Sequence, residues 1–187
     1  MLNKTIIILF VIAVTLSNFN AFAQKTTIWL VRHAEKLTTD PTDKNPELSA
    51  VGLERAADLA KTLQKEKITT IYTTHYRRTI ATALPLATAL QLTPVIYNAK
   101  DLNVIAIKAL QENKGKTALI VGHSNTLIPI IKALNCEVPF EELSDEDYDM
   151  LFKVVIDEHG NRKLTISKYG KAHHAHPKTK GTTMMSN

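Results

Sequence analysis

Two short apolar runs, residues 26–31 (Thr-Thr-Ile-Trp-Leu-Val) and 118–121 (Ala-Leu-Ile-Val), both lead into a histidine, through Arg32-His33 in the first case and Gly122-His123 in the second. Runs of this length, bounded by polar residues, read as buried strands. Between them the chain alternates between strand and helix patterns, which argues for parallel strands joined by crossover helices. In such a sheet the C-terminal edge is where ligands bind. Two imidazoles and an arginine therefore converge on one edge. That combination suits chemistry on an anion, with phosphate the first candidate.

The intervening pattern is consistent with this. Pro41 and Pro46 break the loop 36–47. Ser49 stands as an N-cap before Leu53, Ala56, Ala57, Ala60 and Leu63 at helical spacing. Residues 68–73 form a β-branched strand, and residues 76–91 a helix that Pro85 should bend. A brief strand follows at 94–97, and Asp101 caps a helix containing Ile105, Ala109 and Leu110. A strand over 117–121 leads to an apolar helix over 124–134 despite Pro129. Residues 148–157 and 163–169 read as two strands around Glu158-His159-Gly160-Asn161, a hairpin signal. The expected fold is α/β, a three-layer α/β/α arrangement around a mostly parallel sheet, extended by a C-terminal β-hairpin. Residues 170–187 are polar, lack periodicity and read as a flexible tail. His173, His174 and His176 cluster there and read as solvated rather than as a metal site.

The first residues have the pattern of a secretory signal. Lys4 supplies a positive end, residues 6–16 are apolar, and Ala21-Phe22-Ala23 is a small-x-small cleavage site. The expected division is a signal peptide over 1–23, one domain over 24–169, and the tail. The apolar run falls short of the ~20 residues of a membrane span, so an exported, periplasmic protein without a span after cleavage is expected, a retained N-terminal anchor being the alternative. Cys136 is the sole cysteine, so no intramolecular disulfide can form. The net charge of +5 is mild. No basic stripe with interleaved aromatics is present, so a nucleic-acid partner is not expected. Oligomeric state is not legible.

A phosphate monoester carries about −1.5 to −2 charge near neutral pH, and positioning with charge neutralisation supplies most of its catalysis. Arginine suits the task because its planar fork grips two phosphate oxygens and stays charged. Arg32 is one fork. The segment 74–83 starts at the same edge of the sheet and offers Arg78 as a second, with Thr82 one turn further on. Asn125 lies at a helix N-terminus, which favours anions, where it can orient His123 or simply cap.

Four blocks in order resemble the histidine phosphatase superfamily, of phosphoglycerate mutase-like fold. They are Val31-Arg32-His33-Ala34-Glu35, Leu48-Ser49-Ala50-Val51-Gly52, Thr74-x-x-x-Arg78-x-x-x-Thr82-Ala83, and Val121-Gly122-His123-Ser124-Asn125. The chain looks like the short exported bacterial members. It departs from the family at Ala34, usually glycine, and at Thr74, more often serine. The resemblance implies that His33 is the nucleophile, that Arg32, Arg78 and His123 bind the phosphoryl oxygens, and that neither metal nor cofactor is required. It points to Asp101 as proton donor, with N-capping as its bland alternative and Glu35 as the alternative donor or a substrate contact. The substrate would be a small-molecule or cell-envelope phosphate monoester, or phosphohistidine, whose imidazole leaves without a carboxyl donor. The competing expectation is a phosphate-recognising module of the cell envelope without turnover. A p-nitrophenyl phosphate assay with chelator present separates the two.

Overall fold

The computed structural model describes residues 25–174, so the expected signal segment 1–23 lies outside the described residues. Six strands form one sheet: β1 (Thr26–Arg32), β2 (Ile68–Thr73), β3 (Val95–Ile96), β4 (Thr117–Gly122), β5 (Met150–Ile156) and β6 (Arg162–Lys168). Their spatial order is β3-β2-β4-β1-β5-β6. The pairs β1–β4, β2–β4 and β2–β3 are parallel, while β5 is antiparallel to both β1 and β6. Four helices connect the parallel part: α1 (Ala50–Leu63), α2 (Arg77–Leu90), α3 (Leu102–Glu112) and α4 (Ser124–Ala133).

The apolar runs are continuous because both faces of the sheet are covered. Ile28, Leu30, Ala118 and Ile120 point into one core with Ile105, Ala109, Leu127 and Ile131 of α3 and α4. Trp29, Val31, Leu119 and Val121 point into the other, with Leu59, Leu63, Ala83 and Leu86 of α1 and α2. The expected three layers are present, as is the C-terminal hairpin, which turns at Gly160 with φ +81°. Register then fixes the site. Arg32 pairs with Gly122 at the C-terminal ends of the two central strands, and the His33 N–H donates to the Gly122 carbonyl at 2.9 Å. Both histidines leave the sheet side by side.

Several boundaries tighten. The strand expected over 94–97 reduces to Val95–Ile96, at the edge of the sheet. Asp101 does occupy an N-cap position, but its side chain makes no capping hydrogen bond. Ser49 caps α1 as expected, accepting from Gly52 N at 3.1 Å. Among the described residues no helix is long and apolar enough to cross a membrane.

Candidate active site

The site is built on the loops that leave β1, β2 and β4. His33 is buried, and its Nδ1 lies 2.8 Å from the Ala34 carbonyl. A carbonyl only accepts, so Nδ1 carries the proton and Nε2 keeps its lone pair. Burial pushes the His33 pKa down to about 2, with Arg32, His123 and Arg78 lowering it further against the opposing Ala34 carbonyl. The ring is therefore neutral at any ordinary pH, as a nitrogen nucleophile must be.

The His123 ring lies 5.4 Å from that of His33, centroid to centroid. Its Nε2 is 3.1 Å from Thr74 Oγ1, which is 2.8 Å from Thr79 Oγ1. The Thr79 hydroxyl donates onward to backbone carbonyls of Thr74 and Tyr76. Burial lowers the His123 pKa to about 4, helped by Arg78, Arg32 and His75. Threonine at position 74 thus keeps the hydroxyl that the site uses.

The two arginines are held differently. Arg32 is buried, and its Nη1 donates to the carbonyls of Ser144 and Asp145, both at 2.9 Å. Tyr148 lies against it, 4.0 Å from guanidinium carbon to ring centroid. Arg78 lies 4.4 Å over the Tyr76 ring. Among the described residues no carboxylate pairs with Arg78, whereas its neighbour Arg77 is neutralised at the surface by Glu47 and Asp43. The Nε atoms of both Arg32 and Arg78 are buried without a protein acceptor. Such donors are costly to bury unmatched.

Supporting contacts explain the other sequence blocks. Thr82 Oγ1 donates to the Arg78 carbonyl at 2.7 Å and accepts from Ala34 N at 2.9 Å, joining α2 to the nucleophile loop. Ala34 has no positive φ, so the glycine usual in the resembled family is not required. Its methyl packs with Leu48 and Ala56 in a small apolar cluster under the loop. Gly52 has a stricter reason to be glycine, since a Cβ there would lie 2.1 Å from the Glu35 carbonyl oxygen. Gly52→Ala should therefore overpack this contact and cost about 1–3 kcal/mol, read as a lower urea midpoint. An unchanged midpoint would show that the loop relaxes freely.

Not every expected residue reaches the pocket. Glu35 turns its carboxylate to Arg55, which donates from Nε at 2.9 Å and from Nη2 at 2.8 Å. Burial alone would raise its pKa, yet Arg55 and His173 hold it below the usual range. Glu35 thus braces the loop, its carboxylate occupied by Arg55 and His173. Asp101 is exposed and accepts from Asn98 Nδ2 at 2.9 Å, with no hydrogen bond to any of the four pocket residues. Asn125 is exposed, and the partners of His123 are Thr74 and Thr126 instead. Tyr76 and Tyr148 flank the histidines but carry no sequence signal of that role. His75, without context in the sequence, stacks on Tyr76 at 4.3 Å.

The tail departs from expectation over its first residues. Residues 170–174 return to the site, where the Lys171 carbonyl accepts from Arg55 and the His173 and His174 rings meet Glu35 and Asp149. The rest of the tail, including His176, lies outside the described residues. Among the described residues no group of three His, Cys, Asp or Glu is placed to hold a metal ion.

A family model described as the histidine phosphatase superfamily (branch 1) matches residues 28–103, less than half of the chain. No curated protein matches in sequence. Among solved structures, the protein histidine phosphatase SixA complexed with tungstate is similar at TM-score 0.63 and 17% identity, over 76% of this chain and 96% of that one. A mycobacterial glucosyl-3-phosphoglycerate phosphatase is similar at TM-score 0.63 and 12% identity, over 79% of this chain and 100% of its own. Phosphoserine phosphatase from Entamoeba histolytica, in complex with 3-phosphoglyceric acid, follows at TM-score 0.57 and 14% identity, over 81% of this chain and 98% of that one. These identities establish the shared fold. The family match contains Arg32, His33 and Arg78, and the likeness of fold to the solved phosphatases extends over more of the chain than that match does.

Proposed function

We propose that the protein is a metal-independent phosphohydrolase acting on phosphate monoesters, or on phosphohistidine, through a phosphohistidine formed on His33. The observation that carries this reading is a neutral, oriented His33 imidazole with the Arg32 and Arg78 guanidiniums and the His123 ring gathered around it. Arg32, Arg78 and His123 would hold the phosphoryl oxygens and meet the charge that a metal ion would otherwise neutralise. The His33 Nε2 lone pair forms the N–P bond as the bond to the leaving group breaks, P–O in a monoester or P–N in a phosphohistidine substrate. The leaving oxygen or imidazole nitrogen takes a proton from an acid or from water. A water molecule then attacks phosphorus, breaks the N–P bond and returns the ring to its starting state.

The reading includes an exported, periplasmic protein, which the leader-like pattern of residues 1–23 supports. The decisive experiment is p-nitrophenyl phosphate turnover with a chelator present, combined with trapping of the phosphoenzyme. Sustained turnover and an acid-labile, base-stable phosphoryl group on His33 are expected. Phosphate binding without turnover would favour a recognition module.

Asp101 is the proposed proton donor because it follows β3 at the same edge of the sheet as the other three loops. Asp101→Asn should reduce turnover of alkyl phosphates by about 10²-fold or more and leave p-nitrophenyl phosphate nearly unchanged, since only poor leaving groups need the proton. An equal effect on both substrates would remove the role.

A further inference from the structure

The first turn of chain beyond β6 carries contacts that the phosphatase reading does not use. Both ring nitrogens of His173 face carboxylates, Nδ1 at 2.8 Å from Glu35 Oε1 and Nε2 at 3.1 Å from Glu146 Oε2. Its backbone N–H donates to Asp149 at 3.2 Å, and its ring lies 5.0 Å from that of Tyr148. The two carboxylates belong to different loops. Glu35 is two residues past His33, in the loop anchored by Arg55. Glu146 lies between Asp145 and Asp147, whose carbonyls accept from Arg32 Nη1. Tyr148, which packs on His173 from one side, covers the Arg32 guanidinium with the same ring.

We propose that His173 is a positioning residue of the phosphate site, an imidazolium bridge that holds the loop of His33 and the loop wrapping Arg32 in one arrangement. The inference rests on the phosphohydrolase reading for what the site does, but the bridge acts already at phosphate binding. An imidazole offers two donors only when protonated, so two carboxylates on its two nitrogens select the cation. Other charged groups around it are consistent with this. The Glu35 hydrogen bond raises the His173 pKa most, and Glu146 adds to it, against partial burial and the Arg55 guanidinium. Tyr148 and the Asp149 carboxylate complete the contacts, with Asp149 itself paired to His174 at 2.6 Å.

The sign follows from the raised value. The bridge is complete below the unfolded-state value near 6.5 and is lost as pH rises through the higher folded-state value. Site geometry, and with it phosphate affinity, should weaken on the alkaline side through loss of this cation. Comparing variant with wild type at each pH cancels the ionisation of phosphate itself.

The test is the affinity of the full-length chain for inorganic phosphate at pH 6 and pH 9.5, for wild type and His173→Gln, by calorimetry. The variant should bind about fivefold more weakly at pH 6 and match wild type within about twofold at pH 9.5. Glu146→Gln, at an exposed carboxylate, removes one arm of the bridge without disturbing buried Glu35, and should show a smaller loss with the same pH dependence. It also keeps the question decidable if His173→Gln fails to fold. Equal affinities at both pH values, or a deficit that persists undiminished at pH 9.5, would overturn the bridge. A wild type that binds phosphate with this pH pattern yet never turns over p-nitrophenyl phosphate would leave the bridge standing and overturn the hydrolase reading. No phosphate binding by wild type would overturn both.

Discussion

Replacing His33 with alanine is expected to lower kcat on p-nitrophenyl phosphate by at least about 10⁴-fold, because a group that forms the covalent intermediate has no partial substitute. The magnitude corresponds to about 5.5 kcal/mol of transition-state stabilisation, at 1.36 kcal/mol per tenfold. Phosphate affinity should fall far less. Arg32 stays in place through the Ser144 and Asp145 carbonyls, and Arg78 through its contact with Tyr76, none of which involves the His33 ring. The fold should also persist, since the backbone N–H of residue 33 still donates to Gly122. Steady-state kinetics with phosphate as competitive inhibitor would separate the two effects. Turnover retained above about a hundredth of wild type would mean that water attacks the ester directly, and the covalent route would have to be abandoned.

How much of this was legible beforehand differs by element. The central strands were, because burial on both faces leaves an uninterrupted apolar run, and a run ending in His33 or His123 points to the sheet edge. Ser49 was legible as a cap because its hydroxyl acts within three residues. Contacts of long range left no such trace. Glu35 looked like a pocket residue from its place beside His33, yet its partners Arg55 and His173 lie 20 and 138 residues away. The loop around Arg32 works chiefly through backbone carbonyls, which every residue has, with Asp145 Oδ1 adding an ion pair at 3.7 Å, and neither contact leaves a pattern in the sequence. The segment from 170 onward is polar and aperiodic, the usual mark of disorder. Its first residues are nonetheless held by contacts of their histidine rings to buried carboxylates, which composition does not register. Asp101 shows the reverse case, where a residue type favoured at N-caps takes the position without making the hydrogen bond.

Removing the second guanidinium tests the electrostatics of the pocket as a whole. Arg78→Ala should lower kcat/KM by about 10³-fold, the lower end for an arginine that stabilises a transferring phosphoryl group. Arg77 next to it is not free to compensate, because it is occupied by Glu47 and Asp43. The variant should also change the pH dependence. In wild type both imidazoles are neutral above about pH 5, with His33 pushed down to about 2 and His123 to about 4. The acid limb of kcat/KM should accordingly lie well below the 6.5 of an ordinary histidine. Arg78 is one cause of both depressions, behind burial in each case and behind Arg32 and His123 for His33. Its loss should let both values rise and move the acid limb upward, by a limited amount since burial is untouched. Arg78→Lys should return the limb toward its wild-type position while recovering only part of the rate, because an ammonium restores the charge but not the two-pronged grip. Profiles of the three proteins between pH 3 and 8 distinguish the contributions. A limb that stays put in Arg78→Ala would mean that this guanidinium does not face the imidazoles in solution, and the shared anion site would lose one of its walls.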